Sequence, residues 1–310
     1  MQPPGASSPV SVVIPTHNRA DLLRAAVDSV LAQTLPAREI VIADDGSTDH
    51  TRAVVSAFEA AGAPIVWLPA PPDGTPPGNR RSAARNRGVA AATAPWIAFL
   101  DSDDLWHPLR LERQLADLPR TPDAGFAFCN LQRFDGRGPF GGPYLAPHAD
   151  YSGQILGELL AEALVLSSTL MVRRTALAAV GGWGSPRLGE DYELALRLAA
   201  AYPAGYLPAV LVGLREHPGR TTLAEQERPL LDHIGILQGF VATHPELPAA
   251  GRARARHAIA NTHIKLARFY LDHGHPARAR RHLRAVLWQR PWDRRLPAAY
   301  LRSWVPGRRE

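Results

Sequence analysis

Three carboxylates stand within four residues at Asp101-Ser102-Asp103-Asp104, directly after the apolar run WIAFL (96–100). Like charges at that spacing repel, and withdrawing them from water is costly unless a positive partner compensates. Oxygen donors gathered in one place suit a hard divalent cation, Mg2+ or Mn2+, which commonly shares its ligands with substrate phosphates. A second acidic pair, Asp44-Asp45, closes another apolar run, EIVIA (39–43). A third, Glu190-Asp191, opens a helical pattern, where a carboxylate could take the proton of a hydroxyl nucleophile. Each pair also has a purely structural explanation. Aspartates at strand ends cap turns, and acids at a helix start meet free N–H groups and the positive end of the dipole. Two acidic clusters at strand ends favour ligand binding over turn capping alone.

The elements that must carry these residues follow from periodicity. VSVVIP (10–15) reads as a strand buried on both faces, and EIVIAD (39–44), PIVWL (64–68) and WIAFL (96–100) read as further strands. Between them, residues 20–34, 51–61 and 82–93 show helical spacing, with Asp49 set to cap the second helix. Strand and helix alternating in this way predict right-handed βαβ units and a mostly parallel sheet of Rossmann type. Ligands of such sheets bind outside the carboxyl ends of the strands. Thr16-His17-Asn18-Arg19, Asp44-Asp45-Gly46-Ser47 and the 101–104 cluster should therefore meet in one crevice. Further on, helices are expected at 107–118, 152–163 and 192–201, strands at 124–131 and 167–174, and a loop at 135–149. Residues 260–291 read as a helical hairpin turning at His273-Gly274-His275-Pro276.

Composition sets limits. The chain has 310 residues and is 45% hydrophobic, enough for a sizeable core. No apolar run is long enough to span a bilayer. The Pro/Ser/Gly-rich start reads as a short disordered leader over 1–9, without the pattern of a secretory signal. Cys129 stands alone, which excludes an internal disulfide and a cysteine-built zinc site and fits a reducing cytoplasm. No glycine-rich phosphate cradle of the GxGxxG or GxxxxGK[ST] kind is present, so a nucleotide would be neutralised by metal and arginine. Lys265 is the only lysine.

Three stretches, VSVVIPTHNRADLLRAAVDSVLAQTLPAREIVIADDGSTDHT, AARNRGVAAATAPWIAFLDSDDLWHPLRLERQ and GGWGSPRLGEDYELALRLA, resemble in that order the family 2 glycosyltransferases of the GT-A fold. The resemblance covers roughly residues 9–220. It implies that Pro15, Thr16, His17, Asn18 and Arg19 line a nucleotide pocket, and that Asp45, beside Asp44, contacts the base. It implies that Asp101, Ser102 and Asp103, with Asp104 adjoining, hold ribose and metal, either Asp103 or Asp104 being the principal ligand. Arg85 becomes a diphosphate partner, with Arg81 as rival. Asp191 becomes the general base, its pKa raised by Glu190. His217, in LREHPG, is a further candidate metal ligand, and Trp183, in GGWGS, would lie near the acceptor side, where it could stack on a sugar or pack in the core; Trp106 reads as core. The implied reaction is inverting transfer of a sugar from a nucleotide-diphosphate donor, UDP-linked as first expectation, to a saccharide or lipid-linked acceptor.

A GT-A-like domain over 10–222 and a basic helical region over 223–310 are thus expected. Residues 251–310 carry a net charge of +12 and residues 1–250 one of −6. The basic tail, with Trp288, Trp292, Tyr300 and Trp304, suits peripheral contact with an anionic membrane at its inner face. Nucleic acid is not an expected partner, because the body is acidic and no nucleic-acid motif occurs. A nucleotidyltransferase and a non-catalytic sugar-nucleotide-binding scaffold are the competing functions.

Overall fold

The computed structural model describes residues 8–71, 80–184, 188–216 and 227–289. The chain forms two compact units, Met1–Ile155 with Leu164–Pro218, and Leu156–Ala163 with Gly219–Glu310.

The first unit opens with β1 (Val10–Thr16), α1 (Ala20–Leu31), β2 (Glu39–Asp44), α2 (Thr51–Ala60), β3 (Ile65–Leu68), α3 (Arg80–Ala91) and β4 (Trp96–Phe99). These strands pair in parallel in the order β3-β2-β1-β4. The apolar runs of β1, β2 and β4 are buried on both faces, as an unbroken apolar pattern requires, and the edge strand β3 is half-buried. The unit continues with β5 (Leu105–Trp106), α4 (Arg110–Asp117), β6 (Phe126–Asp135), β7 (Gly138–Phe140), β8 (Leu170–Arg173), α6 (Arg174–Ala179), α7 (Glu190–Ala201) and β9 (Ala204–Arg215). Strand β8 enters antiparallel between β4 and β6, β9 runs parallel to β6, and β5 closes the path beside β9. The expected α/β fold is present, and its second half is mixed in direction.

Several elements differ from expectation. Ser167–Thr169 is one turn of 3-10 helix rather than the start of a strand, and β8 passes directly into α6. The helix expected over 152–163 is reduced to α5 (Leu156–Leu159). The loop at 135–149 contains β7, whose Gly138 has a φ of 117° that only glycine adopts freely. Strand β9 carries Gly205, Pro208 and Gly213, which hide it from a propensity reading.

The second unit holds α5 with α8 (Glu227–Thr243), α9 (Ala249–Asp272) and α10 (Pro276–Gln289). Helix α9 buries Ala255, Ala258, Ile259, Thr262, Leu266 and Tyr270, an i, i+3, i+4 stripe. Tyr270 donates to Glu227 Oε1 at 2.6 Å, tying α9 to the start of α8. The hairpin turn falls at His273–His275, with Gly274 at φ 74°. Among the described residues no helix is long and apolar enough to cross a membrane. Residues 1–7 of the expected leader, His217, Trp292, Tyr300, Trp304 and the side chain of Trp288 lie outside the described residues.

Candidate active site

Parallel register sets Thr16 beside Asp44, so the loops after β1 and β2 start side by side. Pro15 is buried opposite Ala43 and anchors the first loop in the sheet. Asp45 N–H donates to the Thr16 carbonyl at 2.9 Å. Asn18 then takes a left-handed conformation, φ 51°, which asparagine tolerates better than most residues. Its Oδ1 accepts from Thr48 N at 2.7 Å and Asp49 N at 3.3 Å, and its own N–H donates to Ser47 Oγ at 2.9 Å. The two loops are thus stitched together by one side chain. Asp44 is spent within its own turn, accepting from Gly46 N at 3.2 Å and Ser47 N at 3.0 Å. Asp49 serves the starts of two helices: it accepts from Thr51 N at 3.0 Å and from Ala20 N at 3.1 Å, although the N-cap position of α2 falls on His50 rather than on Asp49 as expected. His17 is exposed, and the hydroxyl of Thr16 is buried without a hydrogen-bond partner.

The 101–104 cluster follows β4 on the same edge. Ligand oxygens of Asp101, Asp103 and Asp104 lie within 4.8 Å of one another, an oxygen-only set that fits a hard divalent cation. Their surroundings separate the three. Asp104 is 2% exposed, accepting from Ser168 Oγ at 2.6 Å and Arg215 N at 3.0 Å. Burial and the charges of Asp103 and Asp101 push its carboxyl well above the usual range. Asp101 accepts from Ser167 Oγ at 2.7 Å and Arg85 Nη2 at 2.6 Å. Burial opposes its charge, but Arg85 and Ser167 outweigh it and hold the carboxyl below its ordinary value. Asp103 pairs with Arg19. Ser102 is buried between them.

Arg85 is only 2% exposed. It bonds Asp101 on one side and Glu190 Oε1 at 3.1 Å on the other, and its guanidinium lies 4.5 Å from the Trp183 ring centroid. The two carboxylates keep it charged despite burial. Arg81, one turn earlier on α3 and half exposed, reaches the same Glu190 oxygen at 3.3 Å. Trp183 is 3% exposed, closed in by Arg85 and edge-on to Phe99 at 4.8 Å, with its backbone gripped at both N and O by Asn86 at 2.9 Å. Its ring is packed against Arg85 and Phe99, as a core role requires. Trp106 is core as expected, donating to the Ser168 carbonyl at 3.0 Å.

Gly189, at φ 78°, turns the chain into α7, and Glu190 and Asp191 occupy its first turn. Asp191 Oδ1 accepts from Tyr192 N at 2.8 Å. Burial, with the Glu190 charge beside it, pushes the Asp191 carboxyl up to about 6. Ser167, Ser168, Asn86 and Arg215 were not legible as site residues. The two serines lie in an apolar stretch with no chemical signature, and Arg215 sits on the concealed strand.

A family model for glycosyl transferase family 2 matches residues 11–181, more than half of the chain. The chain belongs to glycosyltransferase family 2. Among curated relatives of this family 2 chain, the succinoglycan biosynthesis protein ExoO of Rhizobium meliloti is 40% identical over 117 residues, 37% of this chain and 32% of that protein. The matched stretch is 38% of the length of each of two other curated relatives, so the chain spans well under half of them. The fold is similar to Staphylococcus aureus TarS, with a TM-score of 0.65 at 16% identity over 95% of this chain and 88% of that one. It is also similar to the mannosyltransferase PcManGT of Pyrobaculum calidifontis in complex with GDP-Man and Mn2+, with a TM-score of 0.62 at 21% identity over 96% of this chain and 79% of that one.

Proposed function

We propose that this chain is an inverting, divalent-cation-dependent glycosyltransferase. It would move a sugar from a nucleotide-diphosphate donor to an acceptor hydroxyl during assembly of a polysaccharide or other cell-envelope glycan. One observation carries this: Asp101, clustered with Asp103, is bonded through Arg85 to Glu190, whose neighbour Asp191 feels the charges of both Glu190 and Arg85. ExoO, named for succinoglycan biosynthesis, and PcManGT, bound to GDP-Man and Mn2+, support the reaction class.

Asp191 accepts the proton of the acceptor hydroxyl as its oxygen attacks the anomeric carbon. The bond from that carbon to the diphosphate oxygen breaks on the opposite face, and the leaving group departs with the electron pair. One displacement inverts the centre. A carboxyl near 6 is mostly ionised at neutral pH yet basic enough to accept that proton. Asp103, with Asp101 beside it, would hold the divalent cation, which supplies neutralisation of the diphosphate's charge. Asp104 is committed to Ser168 and Arg215, which favours Asp103 as the principal ligand. Arg19 and Arg81, 31% and 51% exposed, would meet phosphate, whereas the buried Arg85, bonded to both Asp101 and Glu190, would align them. The loop held by the left-handed Asn18 would, with His17 and Asp45, receive the base. His217 follows Arg215 closely and is proposed as a further ligand. The acceptor is a saccharide or a lipid-linked saccharide, reached at an anionic membrane through the basic C-terminal segment.

Thermal melting with UDP, GDP and dTDP, each with and without Mn2+, tests this directly. A ligand that binds only the folded state raises the melting temperature. One nucleotide should stabilise strongly, and only with metal present. No stabilisation by any of the three overturns the proposal.

A further inference from the structure

Arg19 is unlike the other arginines of the site. Arg85 is sealed in and held by two carboxylates, and Arg81 shares Glu190. Arg19 pairs with Asp103 Oδ2, the carboxylate best placed to take a cation, and its side chain stays 31% exposed. Its backbone cannot wander. Its carbonyl accepts from Leu23 N at 2.8 Å in the first turn of α1, and the preceding Asn18 is fixed to the loop after β2. An anchored stem with a long, half-free side chain can exchange partners without moving the loop.

We propose that Arg19 competes with the divalent cation for Asp103 and, once displaced, transfers to the donor's diphosphate. The inference rests on the cation site argued above and adds a coupling to it. While Arg19 covers Oδ2, a cation meets a carboxylate whose charge is already half answered. When the cation takes Asp103, the guanidinium is repelled by it and drawn to the nearest anion, the incoming diphosphate. Cation and nucleoside diphosphate then each improve the other's binding, by the same factor in both directions. Without Arg19, the cation binds alone more readily and gains less from the nucleotide.

Free Mn2+, followed by electron paramagnetic resonance, gives the affinity of wild type, R19Q and R19K, each alone and with saturating UDP or GDP. R19Q is expected to bind Mn2+ alone about fivefold tighter, the scale of one part-exposed ion pair. The improvement in Mn2+ affinity on adding nucleotide should shrink by a similar factor. R19K, which keeps the charge but loses the planar fork, should fall between the two. D103N in the R19Q background should erase the gain. Equal or weaker Mn2+ binding by folded R19Q overturns the competition, and an undiminished nucleotide effect overturns the transfer. If wild type binds no Mn2+, the cation site itself fails. If wild type binds Mn2+ and R19Q matches it, only the present inference fails.

Discussion

Asp104 and Asp191 are pushed in the same direction, upward, yet only Asp191 is proposed as a base. Both oxygens of Asp104 are occupied from two different elements, so its carboxyl serves to join the loop after β4 to the Ser167–Thr169 turn and to β9. Asp191 stands partly exposed in the first turn of a helix. The acidic limb of kcat/KM should therefore fall near pH 6, with rate lost as pH drops and the base becomes protonated. E190Q removes the neighbouring charge and should move that limb to lower pH. D191N should lower kcat by roughly 10^2- to 10^4-fold while donor affinity, measured by calorimetry, stays near wild type; an equal loss of donor binding would remove Asp191 from the chemistry. The acidic residues themselves were plain in the sequence, because charges after apolar runs violate burial rules. The state of Arg85 was not. Its partner Glu190 is 105 positions away, and nothing local shows that α3 and α7 would bring them together.

At the scale of elements, β1 and α3 meet with Gly88 directly against Val13. A Cβ on Gly88 would overlap Val13 Cγ1, and Val13 is fully buried. Alanine normally improves a helix interior by about 1 kcal/mol over glycine. Here G88A should instead cost about 1–3 kcal/mol through overpacking. It should weaken activity as well, since α3 carries Arg85 and Arg81. Urea denaturation decides the sign. In the second unit, His263 Nδ1 lies 2.9 Å from His282 Nδ1, with Tyr270 stacked on His282, and burial pushes His263 down to about 4. A histidine depressed in the folded state binds its proton more readily when unfolded, so stability is complete above about pH 6.5. It should drain away as pH falls toward 4, and melting curves across that range should be flatter for H263Q. The first four strands were legible because each is a continuous apolar run. Strand β9 was not, because its glycines and proline resemble a loop and its pairing with β6 comes from distant residues.

At the scale of the whole molecule, charge is segregated, −6 over residues 1–250 against +12 over residues 251–310. Vesicles containing anionic lipid should bind the protein, and added salt should release it, since such attraction is screened within about 10 Å at 0.1 M. Neutral vesicles that bind equally well would refute the electrostatic contact. The change in composition near residue 225 was visible in the sequence, but the detour through the helical unit was not. The chain leaves the first unit after Ile155, contributes Leu156–Ala163 to the second, and returns at Leu164. In that excursion Leu159 and Leu160 are buried, Gly251 packs near Leu160, and Arg254 pairs with Glu158 at 3.3 Å. The helices after Gly219 are consequently no detachable appendix: a protein ending at Pro218 would present two orphaned leucines to water and should clump. Severing the same bond while producing both fragments together should instead yield pieces that purify as one, because the earlier fragment already holds the peg that the later one was shaped to receive.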